Sequence, residues 1–283
     1  MKAAVQIPIF NYEPLRDKLI KIVQTAESAG FDAIAVMDHY FQIRNVGVPE
    51  EPMLEAYTTL GFIAGVTKKV KLGTLVTGVI YREPAFLLKQ INTLDVLSNG
   101  RAFLGIGAAW NEEESNALGF KFPPLKQRFE MLEDVLNLAM QMWRDDTKPF
   151  NGKQYELPEP MNHPLPVSKP HPSILIGGGG EKKTLLLVAK YANACNLFPT
   201  PELEHKLEVL KQHCRDVGRN YKEIEKTVIA PVSMTQPTEE IIETCKGLAE
   251  KGIDKVFFSI RKEEDIDALE KFGKEIIPQI KDL

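Results

Sequence analysis

The sequence predicts an α/β protein, a (β/α)8 TIM barrel with insertions after its fourth strand. Three observations carry that prediction. Leu72 to Pro84 followed by Arg101 to Glu112 reads as one βαβ unit: an apolar strand, a helix opened by Pro84 and closed by Asn99-Gly100, and a second apolar strand that stops at Trp110. Runs that are apolar on both faces belong to a parallel sheet covered by helices, and eight such runs alternate with eight helical stripes along the chain. The polar and special residues gather where those runs end, which in such a barrel is the face that carries the chemistry.

In chain order, the first strand is expected at 3–9, followed by a helix whose stripe is Leu15, Leu19, Ile22, Val23, Ala26 and Ala29, closed by Gly30. The second strand, 31–37, runs directly into Asp38-His39-Tyr40-Phe41. A loop over 42–53, with Gly47, Pro49 and Pro52, leads to a helix near 54–67. The βαβ unit then supplies strands three and four, with Leu87, Ile91 and Leu94 as the stripe of its helix. Residues 111–127, with Pro123-Pro124, form an excursion before a long helix carrying Phe129, Leu132, Leu136, Ala139 and Trp143.

Residues 144–172 break this rhythm. Pro149 to Tyr155 suggests a small hairpin around Asn151-Gly152, and prolines are dense from Pro158 to Pro172. The βα alternation resumes at Ile174-Leu175-Ile176, so the stretch reads as an irregular insertion within a single domain, 1–283. The fifth strand ends in Gly177-Gly178-Gly179-Gly180, before a helix with Leu185, Leu186, Val188 and Ala189. A sixth strand at 194–198, a helix near 202–217, a seventh strand near 227–232, a helix opened by Thr238, an eighth strand at 256–258 and a helix near 263–277 complete the pattern.

The composition, 43% hydrophobic and 26% charged over 283 residues, is that of an ordinary globular chain, and the length suits one α/β barrel. A net charge of -4 leaves no basic excess for nucleic acid or an anionic membrane surface, which points to small-molecule chemistry. The opening Met1 to Pro8 is too short an apolar run for a secretory signal, and no run approaches the roughly 18 residues of a membrane span, so a cytoplasmic protein is expected. Cys195, Cys214 and Cys245 are odd in number and lack metal or redox spacing, which favours plain thiols. No H-x-H, H-E-x-x-H or C-x-x-C occurs, so no metal site is expected.

Two strand ends carry candidate chemistry. Gly177, Gly178, Gly179 and Gly180 lie between a strand and a helix N-terminus, where unpaired N–H groups and the helix dipole favour an anion and glycine allows close approach. A phosphate site is the preferred reading over a merely tight turn, and neither a Rossmann nor a P-loop spacing is present. Asp38-His39 is an adjacent acid and imidazole at a strand end, suited to proton exchange near neutral pH, with a satisfied structural pair as the alternative. His163 and His171 fall in the proline-rich insertion, and His205 and His213 on a charged helix. Tyr81-Arg82 and Trp110-Asn111-Glu112 could line an aromatic cofactor or clamp an anion, and Asp95 with Arg101 reads as a structural pair flanking a helix stop.

Taken together, Phe31-Asp32-Ala33 leading to Asp38-His39, the segment Leu72 to Pro84, Leu94 to Arg101, Gly105 to Glu113 and Ile174 to Gly180 resemble the bacterial-luciferase-like flavin and deazaflavin oxidoreductases, particularly their coenzyme F420-dependent branch. The matching pieces span about two thirds of the chain in the family's order. The resemblance implies an isoalloxazine-like ring at the strand ends, a non-proline cis peptide at Leu75-Val76 supporting it, and cofactor contacts from Asp38, Leu75, Val76, Thr77, Ala108, Trp110 and Asn111. It places the cofactor phosphate at Gly177 to Gly180 and makes Asp38 and His39 the catalytic acid and imidazole beside the ring. A glutamate that some deazaflavin dehydrogenases of the family carry near this point is replaced by Trp110, so the resemblance assigns no general acid.

The expected activity is hydride transfer between the C5 of F420 and a small organic substrate. An FMN-dependent monooxygenase using reduced flavin and oxygen is the alternative on the same fold, since FMN shares the tricyclic ring and ribityl phosphate. A non-catalytic flavin-binding protein is the alternative of another class. By the same resemblance a homodimer is implied.

Overall fold

The computed structural model describes residues 1–283. Its strands are β1 (Lys2–Ile7), β2 (Ala33–Val36), β3 (Lys71–Thr74), β4 (Thr77–Gly78), β5 (Phe103–Gly107), β6 (Phe150–Asn151), β7 (Glu156–Leu157), β8 (Ser173–Gly177), β9 (Ala194–Leu197), β10 (Glu225–Ile229) and β11 (Lys255–Ser259). The helices are α1 (Leu15–Ala29), α2 (Ala56–Val66), α3 (Pro84–Leu97), α4 (Glu112–Ala117), α5 (Leu125–Trp143), α6 (Thr184–Tyr191), α7 (Leu203–Asp216), α8 (Thr238–Glu250), α9 (Glu263–Lys271) and α10 (Ile277–Ile280). One parallel sheet runs β3-β2-β1-β11-β10-β9-β8-β5-β4. A parallel bridge from Leu72 to Ala102 and the bond from Leu72 N–H to the Arg101 carbonyl, 2.8 Å, bring β3 back to β5 and close the barrel. β4 continues β3 past the Leu75-Val76 peptide, which is cis, so the parallel ladder amounts to the eight barrel strands foreseen.

The elements form where the local chemistry directs. Gly30, at φ 92°, ends α1 in a Schellman arrangement: its own N–H reaches the Glu27 carbonyl and that of Phe31 reaches Ala26. Pro84 opens α3, and Asn99 and Gly100, both at positive φ, end it. The larger core packs the outward faces of the strands against the helices, whereas a smaller cluster fills the barrel interior. There Ala4, Ala33, Ala35 and Ala194 leave room for Phe103 and Phe257.

The tightest point of the barrel is where β3 passes β5. A Cβ on Gly105 would lie 1.8 Å from the Thr74 carbonyl oxygen, and one on Gly73 would lie 2.5 Å from that of Phe103. The Thr74 hydroxyl donates to the Gly105 carbonyl at 2.8 Å and lies 2.9 Å from that of Thr77, which is 2.8 Å from the Tyr57 hydroxyl. This buried hydroxyl chain ties the strand interruption to α2.

The inserted segments pack on the barrel. β6 and β7 form the antiparallel hairpin expected around Asn151-Gly152. The proline-rich strap is tied to α3: Asp95 accepts from the Ser168 N–H (2.9 Å) and hydroxyl (2.6 Å), and Asn92 and Lys89 donate to the carbonyls of Pro164 and His163. His171 stacks on Trp143 of α5, ring centroids 5.3 Å apart. Asp95 and Arg101 therefore do not form the pair the sequence suggested. Arg101 spends its donors on the carbonyls of Ala64, Thr67, Val70 and Ser98, closing the end of α2, because the guanidinium meets free carbonyls there while Asp95 faces the strap.

Element boundaries differ from expectation in two instructive places. The seventh barrel strand begins two residues before the expected 227, at Glu225, whose polar start hid it. Lys255 reaches Asp32 at 2.6 Å and Glu225 at 2.7 Å, and Lys226 reaches Asp254 at 2.7 Å, so these charges are paired at the N-terminal mouth. The C-terminal helix, expected to run to 277, is interrupted: α9 stops at Lys271, a π-helical turn spans Phe272–Ile276, and α10 follows. A cavity of about 310 Å³ opens at the same mouth, lined by Lys71, Phe103, His171, Ser173 and Lys255 among others. No helix is long and apolar enough to cross a membrane.

Gly105→Ala is expected to lower the unfolding free energy by at least the roughly 1–3 kcal/mol typical of overpacking, because backbone and not a flexible side chain meets the new methyl; chemical denaturation measures it, and an unchanged midpoint would show that β3 and β5 can separate freely. Burial pushes the Asp32 and Glu225 carboxyls up, but Lys255 outweighs it and holds both below the ordinary range. A depressed carboxylate contributes stability above its unfolded pKa, which is lost as pH falls through the folded one. Lys255→Met should therefore destabilise strongly at neutral pH, where two carboxylates lose their cation, and progressively less as pH falls through the folded-state pKa values of Asp32 and Glu225; a loss that does not change with pH would contradict the ion-pair account.

Candidate functional site

The C-terminal ends of the barrel strands bring most of the expected residues together, in pairings the sequence did not disclose. Asp38, at the end of β2, is buried, and its two oxygens face Arg82 Nη1 at 2.5 Å and Nη2 at 2.9 Å. Arg82 Nη2 also donates to Glu55 at 2.6 Å, and the guanidinium lies over the rings of Tyr57 (4.7 Å) and Tyr40 (5.8 Å). Burial opposes the Arg82 charge, yet the Asp38 hydrogen bonds and charge raise its pKa above the ordinary value. The Asp38 carboxylate is thus saturated by arginine.

His39 pairs elsewhere. Neighbouring residues of an extended chain point to opposite sides, so the acid beside it in sequence is directed away from its imidazole. His39 Nδ1 lies instead 2.7 Å from Oε2 of Glu114, a residue with no solvent exposure on α4. Tyr81 donates its hydroxyl to the same oxygen at 2.6 Å, and the Tyr40 backbone N–H donates to Oε1 at 2.5 Å. Burial drives the Glu114 carboxyl up, but the bonds from His39, Tyr81 and Tyr40 outweigh it and hold it below the usual carboxylate range. Burial, followed by the bond to Glu114, raises the Tyr81 hydroxyl well above its ordinary value. His39 Nε2 makes no hydrogen bond within the chain.

Glu114 is the residue of this constellation that sequence reasoning missed. The signal was present: Asn111 followed three residues later by an acid is a helix-start pattern. Asn111 does cap α4, its side-chain oxygen accepting the Glu114 N–H at 3.2 Å, which commits that oxygen to the helix. Glu114 does not reach back to the cap and turns inward to His39, while Glu113 pairs with Arg44 at the surface. A run of three glutamates does not reveal which one is buried.

Trp110 is largely exposed, and its ring meets that of His39 edge to face, centroids 5.7 Å apart. The turn that presents it has Ala109 at φ 61°. Arg128 of α5 holds this turn, donating from Nη1 to the carbonyls of Ala108 (3.2 Å) and Ala109 (2.6 Å) while its guanidinium covers Phe122 at 4.0 Å.

Across the barrel mouth, Leu75 is buried among the interior residues. Val76 projects towards the ends of β5 and β8: a Cβ on Gly177 would come within 2.9 Å of its Cγ2, and one on Gly107 within 3.2 Å. Glycine at 107 and 177 makes room for this side chain. The Thr77 hydroxyl is occupied by the chain through Thr74 and Tyr57. The four glycines of the β8 end divide by role. Gly177 accommodates Val76, and Gly178 takes φ 113° and donates to the Asn196 carbonyl. The N–H groups of Gly179 and Gly180 make no hydrogen bond in the chain. Beside them stand Thr184, at the start of α6, and Lys206, whose Nζ donates to the Gly179 carbonyl at 3.0 Å and lies 3.9 Å from Glu181. Cys195, Cys214 and Cys245 are buried free thiols, and no group of three or more His, Cys, Asp or Glu side chains could hold a metal ion.

The chain is similar to several proteins of known description. An F420-dependent glucose-6-phosphate dehydrogenase of Amycolatopsis mediterranei is 27% identical over 237 residues, covering 81% of this chain and 68% of that protein. The enzyme of the same description from Segniliparus rotundus is 30% identical over 223 residues, 75% of this chain and 63% of that one. Among solved structures, an F420-dependent secondary alcohol dehydrogenase in complex with an F420-acetone adduct superposes with a TM-score of 0.85 at 18% identity, covering 99% of this chain and 98% of that one. The coenzyme F420-dependent tetrahydromethanopterin reductase of Methanopyrus kandleri superposes at 0.82 and 16% identity, covering 99% of both chains. A long-chain alkane monooxygenase superposes at 0.79 and 14% identity, covering 100% of this chain and 91% of that one. These likenesses confirm the barrel fold, and the sequence profile of the luciferase-like monooxygenases matches residues 4–275. The chain belongs to the luciferase-like monooxygenase family.

Proposed function

We propose that this chain, folded as one domain, is an F420-dependent oxidoreductase that transfers a hydride between the deazaflavin C5 and a small organic substrate. The observation that carries the reading is the joint presence, at one barrel mouth, of a Val76 bed between glycines, two unpaired backbone N–H groups beside a lysine, and an imidazole with one free nitrogen. The F420-dependent relatives support the choice of deazaflavin over FMN.

The residues fit such a cofactor. Val76, with Gly107 and Gly177 cleared around it, offers an apolar surface for a flat ring. Gly179 and Gly180 N–H, Thr184 and Lys206 would hold the phosphate, combining backbone donors with a cation. When bound, the deazaflavin supplies a carbon that accepts or donates a hydride, and the protein contributes orientation and electrostatics. His39 Nε2 would take the proton of a substrate hydroxyl as its C–H hydride departs, or return one to a carbonyl oxygen in the reverse direction. Trp110 and Tyr81 pack against that imidazole, limiting its contact with water. Asp38 and Asn111, first expected to act on ring or substrate, support the site by anchoring Arg82 and α4.

Titration with oxidised F420 and with FMN, followed by ring absorbance and fluorescence, tests the reading directly. Micromolar F420 binding with much weaker FMN binding is expected; the reverse preference would make the FMN monooxygenase the better account. His39→Ala should reduce turnover by about 10² or more with cofactor affinity retained, the usual scale of acid–base catalysis, and near-normal turnover would remove the imidazole from the mechanism. Lys206→Glu should weaken F420 binding roughly tenfold or more, as loss of a charge-assisted bond implies, while leaving affinity for the deazaflavin riboside that lacks the phosphate unchanged. Equal weakening of both ligands would place the phosphate elsewhere.

A further inference from the structure

We propose that Glu114 is the positioning residue of this site: it fixes His39 as the Nδ1–H tautomer and so makes Nε2 the nitrogen that exchanges a proton with substrate. The proton-exchange half of this statement rests on the oxidoreductase reading; the tautomer half stands without it.

The argument begins with burial. A carboxylate with no exposure must have its oxygens satisfied, and an ionised one can only accept. Each of its partners must therefore supply a hydrogen. The backbone N–H groups of Tyr40 and Phe41 always do, and Tyr81, its hydroxyl pKa raised by burial and by this same bond, remains a donor. The remaining partner is His39 Nδ1 at 2.7 Å, which must carry the proton if the contact is to attract. In the neutral imidazole this leaves Nε2 as a lone-pair acceptor, because one ring nitrogen donates and the other accepts.

The charges point the same way. Arg82 is the cation of Asp38 and Glu55, whereas Glu114 faces no arginine or lysine and becomes half of an ion pair only when His39 is protonated. Were Nε2 to take a hydroxyl proton as the substrate C–H hydride departs to the deazaflavin, the substrate would become a carbonyl compound and His39 an imidazolium whose countercharge already lies at Nδ1. Tyr81 at 6.1 Å and Trp110 at 5.7 Å, centroid to centroid, pack on the imidazole, so Glu114 orients a ring that is held on other sides as well. The groups facing His39 are thus Glu114 from α4, Tyr81 from the loop after β4 and Trp110 from the end of β5, with Asp38 and Arg82 engaged with each other.

Long-range 1H–15N spectra of the imidazoles distinguish the two tautomers and need no substrate. They should be recorded on the intact protein with and without F420, with His39→Gln identifying the signal. Wild type should show His39 as Nδ1–H, and Glu114→Ala should convert it to the Nε2–H form or a mixture. An Nε2–H tautomer in wild type, or an unchanged tautomer in Glu114→Ala, would overturn the proposal. In the F420-loaded enzyme, with acetone and isopropanol as neutral probes, Glu114→Gln should lower kcat at least tenfold while KM and F420 affinity stay within twofold. Unchanged kcat with measurable wild-type turnover would overturn the catalytic half. Failure of F420 to bind wild type would count against the oxidoreductase reading and leave the tautomer result intact.

Discussion

The close passage of β3 against β5 is the constraint on which the rest of the structure depends. Backbone meets backbone where Gly105 faces the Thr74 carbonyl, and no side chain could stand between them. The chain then breaks its strand at Leu75-Val76 before β4 resumes pairing with β5. That break turns Val76 towards the barrel axis, and the glycines at the ends of β5 and β8 accommodate it. Barrel closure and the apolar bed of the site are therefore one feature seen from two sides, and the hydroxyls of Thr74, Thr77 and Tyr57 tie it together beneath the surface.

Around this bed the charges are sorted into two groups with different surroundings. Asp38, Arg82 and Glu55 form a closed ionic cluster: the guanidinium answers both carboxylates, and two tyrosine rings cover it. Such a cluster holds the end of β2 against the loop before α3. Glu114, His39 and Tyr81 form an open one, in which a nitrogen remains without a partner in the chain. Adjacent positions in sequence thus enter opposite kinds of environment, because the backbone directs consecutive side chains to different sides.

The two mouths of the barrel contrast in the same terms. At the N-terminal mouth Lys255, Lys226, Asp32, Glu225 and Asp254 neutralise one another, an arrangement that serves stability. At the C-terminal mouth backbone donors at Gly179 and Gly180 lack acceptors and a large aromatic side chain, Trp110, stands exposed. Unsatisfied polar groups and exposed apolar surface at the same end of one molecule are what a ligand site requires. The inserted α4 supplies Glu114 to this end, while the proline-rich strap binds α3 and α5 on the outside.

By itself the sequence determined the alternation of strands and helices, since double-sided apolar runs and helix punctuation such as Pro84, Gly30 and Gly100 are local properties of the chain. It also determined which residues stand at strand ends, among them His39, Trp110 and Gly177 to Gly180. Strand β10 was displaced in that reading because Glu225 and Lys226 are polar, and only partners as distant as Lys2, Lys255 and Asp254 make a strand of them. The tertiary structure alone decided the pairings: Asp38 with Arg82, 44 residues apart, and His39 with Glu114, 75 residues apart. No spacing rule reaches across such separations. Whether a carboxylate is a neighbour's partner or an arginine's is settled by the direction in which the folded backbone points it and by which donors burial leaves for it to meet.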